Sequence, residues 1–155
     1  RAQHVLEKIR PALNAGITVL CDRFSDSTVA YQAAGRRLDP KLIRTLNHLA
    51  TGGLVPDVTI ILDVSPETGL TRARRATSAT ELRFENEALD FHRCVRRAFR
   101  KMALAQPKRF LVVSAEPPSD TVWTSVLAGL NKKFSAFLPV VGRVTRPGGI
   151  TPSAA

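Results

Sequence analysis

The amino-acid sequence predicts an α/β fold in which a parallel β-sheet carries helices on both of its faces. Residues 17–21, 58–64 and 110–114 are short, nearly continuous apolar runs rich in β-branched side chains, a pattern typical of strands buried on both sides. Segments with apolar residues at helical spacing separate the three runs. Strands that alternate with helices indicate an α/β architecture, and 155 residues are enough for one domain with its own core.

The first two helices are indicated by their ends as well as by their apolar faces. Residues 1–13 predict a helix that starts without a capping side chain and stops at Asn14. Asp39 followed by Pro40 predicts the start of a second helix, since an aspartate cap and a proline at the first helical position both favour a helix N-terminus. Gly52 predicts its end.

The second half of the chain repeats a unit of strand, turn and helix. Ser65 and Pro66 follow the strand at 58–64 and predict a helix that runs through Ala73. A last helix is capped by Ser119 or Asp120 and continues to about residue 132.

Between these units we expect a long helix over about residues 85–105. One of its faces is apolar, and the opposite face is basic, as a solvated surface usually is. The basic face carries Arg93, Arg96, Arg97, Arg100 and Lys101.

The composition is that of an ordinary globular protein, with 44% apolar and 23% charged residues. No run is long enough to span a membrane and the start lacks the apolar centre of a signal peptide, so we expect a cytoplasmic protein.

Cys21 and Cys94 suit reduced core thiols. The three histidines are far apart, so no metal site is predicted. Residues 1–133 should form one domain, and the Pro- and Gly-rich residues 134–155 a disordered tail.

The positive charge is concentrated in one segment. The formal net charge is +10, and residues 72–109 contain 11 of the 23 Lys and Arg residues but only four of the 13 acids. Such a balance indicates an anionic partner, which could be a nucleotide, a nucleic acid or a membrane surface.

The polar cluster CDRFSDSTVAYQ at residues 21–32 is the strongest functional signal. It follows the predicted strand 17–21, and ligands of open α/β sheets bind at the carboxyl ends of strands. Arg23 could hold a phosphate there through its planar fork of donors. The alternative is an ion pair between Asp22 and Arg23 that only fixes the loop. The residues alone do not decide between these two interpretations.

Several motifs, in order, resemble the thymidylate kinase family over residues 1 to about 130. They are RAQH, PAL, DRFSDSTVAYQ, the GR of AGRRLD, PDVTIILDVSPETGL, RARR, RFENE and FH. The resemblance implies the three-layer fold of P-loop nucleoside monophosphate kinases and transfer of the γ-phosphoryl group of ATP, with Mg²⁺, to dTMP.

The resemblance also implies roles for matching residues. Arg23 would hold the phosphate of dTMP and act in catalysis, beside Asp22. The base and sugar would be contacted by Arg1, Ser27, Thr28, Tyr31 and Gln32. A lid near residues 72–84 would close over ATP with Arg72, Arg74, Arg75 and Arg83. Since Ala76 stands where family members often have the third arginine, and Leu82 where they have an aspartate, Arg75 and Arg83 both remain candidates for the catalytic lid arginine.

One family motif does not occur in these 155 residues, the phosphate-binding loop GxxxxGK[ST]. We therefore expect an N-terminally incomplete member of the fold, in which the strands at 17–21 and 58–64 are not neighbours. Their unpaired backbone groups would make the chain unstable, with little kinase activity alone.

Three other interpretations of the function are also consistent with the sequence. Another nucleoside monophosphate kinase of the same fold would share these features, and a catalytically inactive relative could retain only nucleotide binding. A basic nucleic-acid-binding module is less favoured, because aromatic residues are not interleaved with the arginines of residues 93–101. The resemblance leaves a homodimer open.

Overall fold

The computed structural model describes residues 1–76 and 89–134. Its elements follow the predicted alternation with two exceptions, because residues 17–21 are not a strand and the helix at residues 25–35 was not predicted. In chain order they are α1, which joins Ala2–His4, a π-helical stretch Val5–Ile9 and Arg10–Asn14; α2, which joins Ser25–Thr28 and a π-helical stretch Val29–Gly35; α3 (Pro40–Thr51); β1 (Thr59–Asp63); α4 (Pro66–Ala76); α5 (Leu89–Ala105); β2 (Phe110–Ser114); and α6 (Ser119–Lys133).

The sheet of the described residues has two parallel strands. β1 pairs with β2 from Thr59 opposite Phe110 to Asp63 opposite Ser114. Parallel strands need a crossover connection, and here it contains α4 and α5. Both strands lie within one residue of the runs predicted from the sequence.

Helices cover both faces of this small sheet. On one face α5 packs its Phe99 and Met102 against a buried cluster that includes Ile61 and Phe110. On the other face α6 approaches Leu111 so closely that a Cβ at Gly129 would lie 2.6 Å from that side chain. The predicted layering is therefore confirmed around β1 and β2.

The predicted strand at residues 17–21 is wrong in this structure. Ile17 continues the turn after α1 by donating its N–H to the carbonyl of Ala12, at 2.9 Å. The side chains of Ile17 and Leu20 are 58% and 93% exposed. A strand needs a hydrogen-bonded neighbour, and within the described residues no strand lies beside this segment. The segment therefore has the composition of a buried strand, but no strand among the described residues is available to pair with it.

Most predicted helix ends are confirmed. Asp39 caps α3 by accepting the N–H of Lys41 at 2.8 Å, and Gly52 closes it in a left-handed conformation. Ser65 accepts the N–H of Thr68 and caps α4. The cap of α6 was predicted wrongly, since Pro118 occupies that position and no side chain caps the helix.

Two further findings concern the whole described part. Cys21 and Cys94 are both free thiols, half-buried instead of in the core. No helix in residues 1–76 or 89–134 has the length and apolar character needed to cross a membrane.

Candidate acceptor-nucleotide site

The candidate site is built on the loop before α2 and on the first two turns of that helix. Arg23 has a left-handed backbone conformation, with φ of 59°. For a residue with a Cβ this conformation is unfavourable by roughly 1 to 3 kcal/mol, and such residues concentrate at functional sites. Phe24 then returns to an extended conformation and α2 begins at Ser25.

Tyr31 holds the guanidinium of Arg23. Nη2 of Arg23 donates to the Tyr31 hydroxyl at 2.9 Å, and the guanidinium carbon lies 4.9 Å from the centre of the ring. Asp22 is exposed, and no ion pair between it and Arg23 is found in the described part of the chain. The interpretation of this pair as a buried tie is therefore wrong.

Phe91 of α5 packs behind Tyr31. The two rings meet edge to face with centres 5.9 Å apart. Gly35, at the end of α2, makes room for Phe91, since a Cβ there would lie only 2.5 Å from the ring. From the sequence, Phe91 belongs only to the apolar face of the helix predicted over about residues 85–105. The Tyr31 contact depends on the fold and could not be read from the sequence.

Arg1 reaches the same site from the start of α1. Its Nη2 donates to Oγ1 of Thr28 at 3.1 Å, and its guanidinium lies 5.2 Å from the centre of the Phe24 ring. The structure thus brings Arg1, Arg23, Thr28 and Tyr31 to one region around the start of α2. Ser27 is half-buried there and bonds through its backbone N–H to the Phe24 carbonyl.

Gln32 and Asp22 are near these residues in the chain. Gln32 is half-buried, and its carbonyl accepts the N–H of Leu38 at 3.1 Å. Neither side chain makes a hydrogen bond to the rest of the described structure, so the proximity of both to the other site residues comes from chain position alone.

Asp26 is a residue of this loop that sequence reasoning missed. It is buried, and both of its carboxylate oxygens accept hydrogen bonds from Arg109, at 2.7 and 2.8 Å. Thr59 donates to the same carboxylate at 2.8 Å. A signal was present, because Asp26 lies four residues before the buried Ala30 and so on the inner face of α2.

The predicted lid residues are only partly described. Arg72 donates to the backbone carbonyls of Ala115 and Glu116, which follow β2, so in this structure it ties α4 to that turn. Arg74 and Arg75 are exposed near the end of α4. Arg83 and the rest of the predicted lid, residues 77–84, lie outside the described residues, as do residues 135–155 of the predicted tail.

The basic face of α5 is largely exposed, as expected from the sequence, and of its five basic residues only Arg96 is half-buried. Arg96 binds Asp63, at the end of β1, through two hydrogen bonds of 2.7 and 3.0 Å. Arg93 binds Glu67 at 2.7 Å and Asp90 at 3.3 Å. These contacts fix α5 to β1 and α4.

The ion pairs at this end of the sheet shift the pKa values of the residues that form them. Hydrogen bonds and the positive charge of Arg96, with that of Arg100, hold the pKa of Asp63 below its ordinary value despite partial burial. The partnership with Asp63 raises the pKa of Arg96 in turn. A shallow cleft of about 260 Å³ beside these residues is lined by Pro66, Glu67, Arg93, Arg96, Arg97 and Arg100.

A parallel sheet between helices, with arginines gathered at a loop before a helix, defines an α/β protein suited to phosphate esters. Residues 1–126 match the sequence model of the family described as thymidylate kinase, and the chain belongs to that family. Its members named thymidylate kinase are transferases.

Curated relatives agree with this assignment. The thymidylate kinase of Solidesulfovibrio magneticus is 52% identical over 137 residues, which cover 85% of this chain and 66% of that protein. That of Desulfovibrio desulfuricans is 55% identical over 128 residues, or 79% and 59% of the two chains. That of Thermomicrobium roseum is 52% identical over 130 residues, or 81% and 61%. The chain thus spans about two thirds of the length of the relatives it matches.

Proposed function

We propose that this chain forms the acceptor-nucleotide side of a kinase that transfers the γ-phosphoryl group of ATP to dTMP, giving dTDP for dTTP synthesis. The observation that carries the proposal is the geometry of Arg23. A strained backbone presents its guanidinium, and Tyr31 holds that group by a hydrogen bond and by its ring. A fixed guanidinium can meet two phosphate oxygens at once.

The other residues of the site have roles that the family resemblance implies. Arg23 binds the phosphate of dTMP beside Asp22 and acts in catalysis. The thymine and deoxyribose are contacted by Arg1, Ser27, Thr28, Tyr31 and Gln32. The hydrogen bond between Arg1 and Thr28 supports this grouping, because it places the first residue of the chain beside α2.

On the donor side, arginines suit the chemistry because phosphoryl transfer relies on positioning and on stabilising charge at the phosphoryl oxygens. Arg74 and Arg75 are exposed and free to approach ATP, whereas Arg72 would first have to release two carbonyl groups. Arg75 and Arg83 are both proposed as catalytic candidates.

Mg²⁺ would arrive with ATP. Mg²⁺ in such sites takes most of its ligands from phosphates and water. The 155 residues contain no Gly-Lys pair of a phosphate-binding loop, so we expect slow turnover from this chain alone and base the test on binding.

The test is calorimetric titration of the chain with dTMP and with thymidine. Arg23→Gln should weaken dTMP binding by roughly tenfold or more, because a charge-assisted hydrogen bond contributes about 1.5 to 3 kcal/mol, and should leave thymidine binding unchanged. Arg44→Gln removes the same charge from an exposed position of α3, outside the candidate site, and serves as the control. Equal effects of the two variants on dTMP binding would contradict the proposed phosphate site.

Competing ligands separate the alternatives. Tighter binding of another nucleoside monophosphate than of dTMP would indicate a different kinase of this fold. Salt-dependent binding of random DNA stronger than that of dTMP would indicate the nucleic-acid module, although Arg93 and Arg96 are already engaged by carboxylates.

A further inference from the structure

A buried polar network connects the candidate site to the sheet. Arg109 donates from Nη1 and Nη2 to the two oxygens of Asp26 at 2.7 and 2.8 Å. Thr59 donates its hydroxyl to Asp26 at 2.8 Å and accepts from Arg109 at 3.0 Å. The side chains of Arg109 and Asp26 are only 15% and 12% exposed. The network joins residues 83 positions apart in the chain.

Arg109 is itself held rigidly. Its Nε donates to Oε1 of Gln106 at 2.9 Å, and its guanidinium lies 4.2 Å from the ring centre of Phe110. Its carbonyl accepts the N–H of Thr59 at 2.9 Å, next to the first pair of the sheet. Phe110 belongs to the buried cluster under α5. These contacts therefore hold the guanidinium of Arg109 in one position beside the buried cluster.

Asp26 lies in the first turn of α2, close in the chain to the proposed ligand contacts Arg23 and Thr28. It stands three residues after Arg23 and two before Thr28, and its carboxylate faces the core. A second tie acts on this turn from α3, where Nδ2 of Asn47 donates to the carbonyl of Ser25 at 3.1 Å. The inner side of the turn is thus anchored at two points.

We propose that Asp26, through Arg109 and Thr59, is a positioning residue for the acceptor nucleotide. The network fixes the start of α2 against the sheet, so that Arg23 and Thr28 are held in the geometry that binds dTMP. This inference rests on the proposed function for its ligand. Its structural part, that the network orders residues 23–31, can be tested without any ligand.

The physical reason separates positioning from stability. A buried ion pair can often be replaced by packed apolar side chains without loss of stability. Its directional hydrogen bonds, however, define one geometry of the backbone that carries them, which apolar contacts do not. Replacing the network with apolar side chains should therefore preserve the stability of the fold. It should also make the backbone of the candidate site less ordered.

The experiment compares the unmodified chain with the variant Asp26→Leu/Thr59→Val/Arg109→Met. Amide hydrogen exchange in residues 23–31 should accelerate about tenfold or more, with protection in β1 and β2 unchanged. The dTMP affinity should fall in proportion to the fraction of molecules in which residues 23–31 keep the binding geometry, and by about tenfold where that fraction is about a tenth.

Two further variants are measured in the same way. Asp26→Asn removes the charge and replaces one acceptor oxygen by an NH2 group that cannot accept from Arg109. It should accelerate exchange in residues 23–31 in the same direction, which decides the question if the triple variant does not fold. Glu67→Gln/Arg93→Gln removes a different ion pair and should change neither exchange in residues 23–31 nor dTMP affinity.

Unchanged exchange in residues 23–31 of Asp26→Asn, or exchange that rises equally across β1 and β2, would overturn the inference. So would a folded triple variant with unaltered exchange and dTMP affinity. Absence of dTMP binding by the unmodified chain would refute the proposed function instead, while the exchange measurements would still decide whether the network orders the loop.

Discussion

Gly35 provides a direct test of the packing behind the candidate site. A Cβ at Gly35 would lie 2.5, 3.0 and 3.1 Å from three ring carbons of Phe91, whereas carbon atoms in normal contact are about 3.5 to 4.0 Å apart. The ring cannot move freely, since Tyr31 and His92 both meet it edge to face, at 5.9 and 5.5 Å between centres. Gly35→Ala must therefore displace packed aromatic side chains.

The expected magnitude follows from two opposing effects. Overpacking of this kind lowers the free energy of unfolding by about 1 to 3 kcal/mol. Alanine is favoured over glycine in a helix by up to about 1 kcal/mol, with less gain at the end of α2. We expect Gly35→Ala to lower the free energy of unfolding by about 1 to 2 kcal/mol.

Gly69→Ala is the matched control. Gly69 lies inside α4, and its nearest neighbour to a new Cβ is Cγ1 of Val64 at 3.4 Å, an ordinary contact. This variant should raise the free energy of unfolding by about 0.5 to 1 kcal/mol. A third variant, Gly35→Ala/Phe91→Leu, removes the edge of the ring and should recover part of the loss.

The assay is urea denaturation of the 155-residue chain followed by circular dichroism, with the slope on urea checked for each variant. Gly35→Ala should also weaken dTMP binding, because displacement of Phe91 disturbs the tyrosine that holds Arg23. Equal stabilisation by Gly35→Ala and Gly69→Ala would refute the close packing of α2 on α5.

Two other predictions concern charge and backbone conformation. The pKa of Asp63 is lower in the folded chain than its ordinary value of 3.8 because Arg96 binds the carboxylate. The stability it contributes is therefore fully present above that value and is lost as pH falls through the lower folded pKa. Urea midpoints should fall less steeply on acidification from about pH 5 to pH 2 in Asp63→Asn than in the unmodified chain, and equal slopes would contradict the ion pair. Arg37 has a left-handed φ of 57°, so Arg37→Gly should raise the free energy of unfolding by about 1 kcal/mol. Thermal denaturation checks this, and a similar gain from Arg37→Ala would exclude backbone relief as its cause.

Much of the local structure could be predicted because local signals determine it. The aspartate before Pro40 and the glycine at 52 define α3 through capping and a left-handed turn, which depend only on adjacent residues. The apolar run around Ile61 forms a strand because its neighbour β2 is present. The run from Ile17 has the same character, but no strand in residues 1–76 or 89–134 lies beside it, so composition alone gave the wrong element there.

The candidate site could also be predicted only in part from the sequence. The motif containing Arg23 and Tyr31 was recognisable from residue order, because both lie within one short segment of the chain. The engagement of Arg72 by carbonyl groups after β2 was not recognisable, since it spans more than 40 residues. A basic residue in a sequence looks the same whether it is free or bound.

The sequence by itself determined the family, every helix of the described residues except α2, two of the three predicted strands and the residues proposed to meet dTMP. The tertiary structure alone decided which of those groups are available and what holds them. It paired Asp26 with Arg109 and Asp63 with Arg96, and among the described residues it placed no strand beside residues 17–21. The reason is that helix caps and periodicity act over a few residues, whereas an ion pair or a strand pairing depends on segments that only the folded chain brings together.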